Sequence, residues 1–441
     1  MISKLFRLPK SASGQARSGK FGFGWAAASQ LVGLVVKLGS TLILTRLLSP
    51  EVYGVIGTAM VVLTTLEWLA DLGVVPALLR KPRGGDREWL LVGWWIGLGR
   101  GMGLSVACLA MAAPLALWYG KAEMFGVLAL LALRPALMAL RSPGMPELRR
   151  LLEGRKLFVD ELMQTVGGTA VAIAYATFVP HAGPGAIVAG TLAGALIGVM
   201  VSYWLCPFRP VWYWDKAIAA ELIGVGRQIL VNTLLMSIWL NLDRLLGPSL
   251  MSIEILGLYA VAWNIAAAAE AFMTRGIEVY FSLLIRQHEG AAREEWHQRT
   301  AGRIVMFVVP MFAMGVLIAG PFIRTVYDPR YHAAGVILAI LLARLAVRLA
   351  GQLDFQLLLA GGDLSAATIG YAVGAAIQLV AVPLLARWGG IGLSAAVLIS
   401  TIAITAVQIA RSAKLRTTAW KRTAFAVAVS SVAIALAIIM G

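Results

Sequence analysis

The chain alternates long, nearly unbroken apolar runs with short polar links, and the runs show neither strand alternation nor a polar helical face. Thirteen runs can be marked, at 25–48, 55–79, 90–118, 124–140, 161–179, 186–206, 226–247, 257–285, 303–326, 335–358, 366–386, 391–411 and 424–440. Most match the ~20 residues that a helix needs to cross a hydrocarbon core. The first two predict a transmembrane hairpin closed by Leu48-Ser-Pro-Glu-Val-Tyr-Gly54. Only 14% of the 441 residues are charged and 59% are hydrophobic, whereas soluble domains carry about 25% charged residues. The pattern therefore predicts an all-α polytopic membrane protein.

The net charge of +16 would suggest a nucleic-acid partner until the charges are placed. Of the 38 lysines and arginines, 25 fall in the tail 1–22 and the links 80–89, 141–160, 207–221, 286–303 and 411–423. The alternate links hold three, Lys121, Arg330 and Arg387. Such asymmetry follows from the positive-inside rule and places the N-terminus in the cytoplasm. An odd number of spans then places the C-terminus outside. Anionic lipid headgroups suffice as the partner of the basic tail, and no nucleic acid is implied. Links 141–160 and 207–221, the latter with Trp212, Tyr213 and Trp214, read as interfacial segments.

Cofactor chemistry finds little support. Gly14 to Lys20 imitates a phosphate-binding loop, but Phe21 stands where a magnesium-ligating hydroxyl is needed and no strand precedes it. Cys108 and Cys206 lie in runs, and His181, His288, His297 and His332 are scattered over links, so neither a disulfide framework nor a metal site is expected. No cofactor is predicted. The first run is longer than the apolar core of a signal peptide, so no cleavable signal is expected either.

One motif recurs. Arg46-Leu-Leu-Ser-Pro50 closes the first run and Arg244-Leu-Leu-Gly-Pro248 closes the seventh. The runs share one direction, so the repeat is parallel, and internal repeats of this kind place a site between the halves near the membrane midplane. The expected organisation is a basic tail at 1–22, a six-helix lobe at 23–206, a cytoplasmic linker at 207–221, a second six-helix lobe at 222–411 and an extra C-terminal helix in 412–441.

Charge inside the runs is the candidate chemistry, because a charge at mid-membrane costs about 2.5–3.5 kcal/mol on insertion scales. Arg46, Arg244 and Arg324 lie near one end of their runs and Arg227 near the other, where long side chains reach the headgroups. Lys37, Arg134, Arg344 and Arg348 lie deep and are the candidate substrate ligands. Lys37 and Glu67 are almost equally far from the link between their runs, which predicts either an ion pair or a shared wet cavity. Arg344 and Arg348 share a helix face, where like charges repel. An anion between them relieves that repulsion, and a diphosphate suits paired guanidinium groups. Pairing with Glu270 is the alternative. Arg275 and Glu278 are expected to pair locally. Glu67, Asp71 and Glu270 are candidates for carrying a coupling ion.

The run Leu44 to Gly54, then Asp71-Leu-Gly73 and Ala77-Leu-Leu-Arg80, resembles the opening of the polysaccharide (O-antigen) flippases. Asn241-Leu-Asp-Arg-Leu-Leu-Gly247 and Leu256-Gly-Leu-Tyr-Ala260 resemble their seventh-to-eighth helix link. This family lies in the multidrug, oligosaccharidyl-lipid and polysaccharide exporter superfamily. The resemblance implies two lobes around a cationic cavity, a lipid-linked glycan as substrate, alternating access, and the cell inner membrane as location. It also implies polysaccharide polymerase and export machinery as partners. A multidrug exporter is the alternative within the superfamily. A membrane glycan polymerase or ligase is the alternative from another class, disfavoured by the short outer links. No enzymatic activity is expected.

Overall fold

The structure is a computed structural model. It describes residues 33–441 apart from 34, 35, 37, 38, 72, 81, 82, 152, 181, 286, 288, 289, 361–364, 412–415 and 441. Among the described residues there are helices and no strands. In chain order they are α1 (39–47), α2 (Pro50–Leu69), α3 (Val74–Arg80), α4 (Arg87–Trp118), α5 (Ala122–Leu131), α6 (Leu133–Ala139), α7 (Met145–Arg150) and α8 (Gly154–Phe178). They continue with α9 (Gly185–Leu205), α10 (Lys216–Leu250), α11 (Ile253–Leu284), α12 (Ala291–Val326), α13 (Ala334–Ala360), α14 (Ser365–Leu385), α15 (Gly389–Arg411) and α16 (Arg416–Met440).

Ten stretches among the described residues are long and apolar enough to cross a membrane. One of them, Thr368–Arg411, covers the runs at 366–386 and 391–411. The chain is a multi-pass membrane protein. The run at 226–247 lies inside the longer α10, and half of the run at 25–48 lies outside the described residues.

Two runs expected as single helices are broken. The run at 55–79 stops after Leu69 and resumes at Val74. Asp71 Oδ1 accepts the Gly73 amide at 3.1 Å, and Gly73 takes φ 61°, a left-handed conformation natural to glycine. The run at 124–140 divides into α5 and α6 around Ala132. Pro135 cannot follow the preceding turn without clashing with the carbonyl four residues back. The Ala136 amide turns instead to Ser105 Oγ at 3.0 Å.

Small residues set how closely the helices approach. On α9, Gly190, Gly194 and Gly198 recur every fourth position and face Gln164, Gly168 and Ala172 of α8. Membrane helices pack by such small-residue stripes because lipid offers no hydrophobic drive for association. The contact between α2 and α11 is closer still. A Cβ on Gly54 would lie 2.0 Å from the Ile253 carbonyl, and one on Gly257 would lie 1.8 Å from the Pro50 carbonyl. Further along, Gly57 meets Ala260. Pro50 and Ile253, Gly54 and Gly257, and Gly57 and Ala260 are each 203 residues apart. The two helices therefore run parallel and touch reciprocally, in one register. Leu44, Leu48 and Tyr53 share a core cluster with Leu256, Tyr259 and Tyr331, so apolar packing crosses between the halves at the end where both helices begin.

The last helix, α16, is docked against α12 and α13. Arg422 ion-pairs with Asp354 of α13 and lies 3.3 Å from His297 Nε2. His297 Nε2 is 2.9 Å from Asp354 Oδ1, and its other ring nitrogen meets the Tyr280 hydroxyl. His297 was expected in a link. It lies instead on α12, fully buried, because that helix begins well before the apolar run does.

Candidate functional site

A cavity of about 640 Å³ lies among α1, α2, α6, α8 and α9 of the first half and α10 and α11 of the second. Glycines of α8 and α9 and threonines of α2 and α8 make much of its wall, which keeps it open and hydrogen-bonding. Its charged lining residues, among those described, are Arg134 and Arg244, and no described carboxylate lines it.

Arg244 was grouped with the headgroup-seeking arginines because it lies near the end of its run. The structure corrects this. Its helix continues through Pro248 to Leu250, and the guanidinium stacks over the Trp263 ring, 4.0 Å from the centroid. Its Nη2 donates to Asn241 Oδ1 at 2.8 Å and to the Leu240 carbonyl at 2.9 Å. Neighbouring Asp243 accepts the Tyr259 hydroxyl at 2.5 Å. A guanidinium held flat on an aromatic face turns its edge to oxygen acceptors, here Asn241, the Leu240 carbonyl and, 4.0 Å from Nε, the Asp243 carboxylate. The ring beneath it was the missing signal, because nothing in the order of residues pairs Trp263 with Arg244.

The deep charges form two sets. In the first half, Arg134 Nη1 of α6 donates to Glu67 Oε1 of α2 at 2.6 Å. In the second, Glu270 of α11 receives both Arg344 and Arg348 of α13, with Arg344 Nη2 at 3.1 Å. Arg344 is buried and lies 5.0 Å over Trp263, and Arg348 lies 5.3 Å over Trp239. Glu270 therefore supplies the anion that the two arginines require, as the pairing alternative anticipates. The expected contact of Lys37 with Glu67 lies outside the described residues, since Lys37 is not among them. Asp71 stands apart at the break after α2, where Arg100 Nη1 reaches it at 3.1 Å. The local pair of Arg275 and Glu278 forms at 2.8 Å.

Many helices long enough to span a membrane, packed about a cationic cavity that both halves line, define a class. The fold is that of the multidrug, oligosaccharidyl-lipid and polysaccharide exporter superfamily. It is similar to a solved lipid II flippase, MurJ, in an inward closed conformation, with a TM-score of 0.72 and 11% identity over 95% of this chain and 96% of that one. It is similar to a multidrug resistance MATE family transporter in an inward-facing conformation, with a TM-score of 0.64 and 16% identity over 89% of this chain and 99% of that one. A third similar structure is a superfamily transporter from Pyrococcus furiosus described by the reverse polarity of its binding pocket, with a TM-score of 0.51 and 14% identity over 92% of this chain and 96% of that one. The chain belongs to the family of polysaccharide biosynthesis proteins, whose model matches residues 43–335. No curated protein matches it in sequence.

Proposed function

We propose that this protein is a flippase that carries a lipid-diphosphate-linked glycan from the cytoplasmic to the outer leaflet by alternating access. The observation that carries this reading is the charge of the cavity: Arg134 and Arg244 line it and no described carboxylate does. Guanidinium groups bind phosphate oxygens in fork geometry, while the threonines suit sugar hydroxyls. The prenyl chain stays in lipid. Arg344 over Trp263 and its neighbour Arg348 are assigned to the same site, as is Lys37 by its depth.

The lobes proposed are 23–206 and 222–411, joined by 207–221 and related by a rotation along the membrane normal. The reciprocal contact of α2 with α11 supports that relation. The N-terminus is assigned to the cytoplasm and the protein to the inner membrane, as the asymmetry of basic links suggests. Reporter fusions at Gly85 and Glu153 test the orientation. Glu67, Asp71 and Glu270 remain the carboxylates assigned to ion coupling. The protein would work beside polysaccharide polymerase and export machinery rather than perform the polymerisation or ligation itself. Multidrug export is disfavoured, because a cationic drug meets like charge in the cavity.

The decisive experiment is reconstitution in proteoliposomes with a fluorescent oligosaccharide on a prenyl diphosphate. Wild type moves the glycolipid across the bilayer, and variants Arg134→Ala and Arg244→Ala do not. Transport of a cationic drug with no movement of the glycolipid would overturn the reading.

A further inference from the structure

The two ion-pair sets are the same device built twice. Glu67 follows Gly54 by 13 residues, and Glu270 follows Gly257 by 13 residues. Those glycines are the reciprocal contact points of α2 and α11, so the glutamates occupy equivalent positions on equivalent helices. Their partners are equivalent too. Arg134 lies on α6 in the fourth apolar run, and Arg344 and Arg348 lie on α13 in the tenth. Two independent choices of residue recur in the two halves: a carboxylate, in register, on one helix and guanidinium on the helix two runs later.

Each set is bound in the way a phosphate would be. The guanidinium N–H groups of Arg134 and Arg344 point at carboxylate oxygens at 2.6 and 3.1 Å, and phosphate oxygens accept from the same fork. The glutamate side chains are 25% and 18% exposed, so neither is sealed wholly within the packing. Capacity is also left over. Arg344 and Arg348 share one carboxylate, and the Nε of each has no hydrogen-bond partner. The Trp263 ring lines the cavity and carries both Arg244 and Arg344 over it, which connects the second set to the space where a substrate enters.

We propose that Glu67 and Glu270 are internal counter-ions, one per half, that keep two equivalent anion subsites filled until a lipid-linked diphosphate displaces them. This rests on the reading of Arg134, Arg344 and Arg348 as substrate ligands. An empty guanidinium out of water is costly, so a resident carboxylate keeps the vacant transporter folded. Exchange of carboxylate for phosphate preserves that neutralisation.

The test is equilibrium binding of tritiated geranylgeranyl diphosphate to the purified full-length protein in detergent. Glu67→Gln and Glu270→Gln remove a competitor while retaining an amide that can bond to arginine. Each is expected to tighten binding about tenfold, the scale of one competing ion pair. Unchanged or weaker binding in both overturns the proposal. If a glutamine variant does not run as a monodisperse peak, the aspartate variant replaces it. Aspartate withdraws the carboxylate by one methylene and must also tighten binding. Arg134→Ala and the Arg344→Ala, Arg348→Ala double variant report on the underlying site. Wild-type binding by both of these refutes the site itself. Loss of binding there, without gain in the glutamate variants, refutes the counter-ion role alone.

Discussion

Tyr331 donates its hydroxyl to the backbone carbonyl of Leu48 at 3.0 Å. The bond joins the turn after α12 to the end of α1, across 283 residues of chain. Its counterpart runs the other way. Tyr119, after α4, donates to the Leu245 carbonyl near the end of α10 at 3.1 Å. Both bonds lie at the end of the bundle where α2 and α11 meet. They latch that end shut between the two halves.

The latches predict a bias in the conformational equilibrium. A hydrogen bond of this kind contributes about 1 kcal/mol net, so removing both should shift the population open at that end by roughly thirtyfold. The Tyr119→Phe, Tyr331→Phe double variant, carrying Thr58→Cys in the cavity wall and lacking Cys108 and Cys206, should react faster with an impermeant maleimide added from the latched side. Labelling at the wild-type rate would show that the latches do not hold the closed state.

The contact of α2 with α11 predicts a sharp steric limit. Gly257→Ala places a methyl 1.8 Å from the Pro50 carbonyl, so the helices must part, at a cost of about 1–3 kcal/mol. Gly97 is the control, because a Cβ there meets nothing within 4 Å. Gly97→Ala should be neutral or stabilising by up to ~1 kcal/mol. Thermal melting in detergent compares the two, and equal melting temperatures would contradict the close packing.

Arg422 predicts how α16 is retained. Removing it leaves buried Asp354 beside His297 without its cation, which costs about 3–5 kcal/mol. Arg422→Ala should lower the melting temperature and expose the segment before α16 to protease. Adding Asp354→Asn should restore much of the loss, since the uncompensated charge is then gone. A double variant as unstable as the sum of the singles would rule out direct coupling.

The cavity predicts an ordering among arginines. Arg134→Ala and Arg244→Ala should each abolish glycolipid movement at normal membrane abundance, and Arg134→Lys should retain part of it because charge survives and the fork does not. Arg46 is exposed, and Arg46→Ala should transport at the wild-type rate. An inactive Arg46→Ala variant with an active Arg244→Ala variant would invert the assignment.

Much of this was readable in the residue order. Apolar runs locate spanning helices because lipid leaves few alternatives, and depth along a run singled out Arg134, Arg344, Arg348 and Glu67. What depth cannot give is the azimuth. Whether Glu67 faces Arg134 or Lys37 depends on how the helices rotate and cross, which packing decides. The repeat was visible through Arg46 and Arg244, 198 residues apart. The equivalence of Glu67 with Glu270 was hidden, because the link after Pro248 is longer and shifts the register to 203. Helix breaks were hidden too. Asp71 and Pro135 stand in runs that read as continuous, and only their hydrogen-bond partners show where the backbone turns.

The acceptor in each tyrosine latch is a main-chain oxygen. Any amino acid at position 48 or 245 that keeps the backbone in place presents it equally well. Mutational drift can therefore rewrite those two side chains without releasing the latch, whereas a change at Tyr119 or Tyr331 forfeits a bond at once. The burden of inheritance falls on one partner of each pair. A lineage could diversify the surface of this closed end widely and still pass on the same lock.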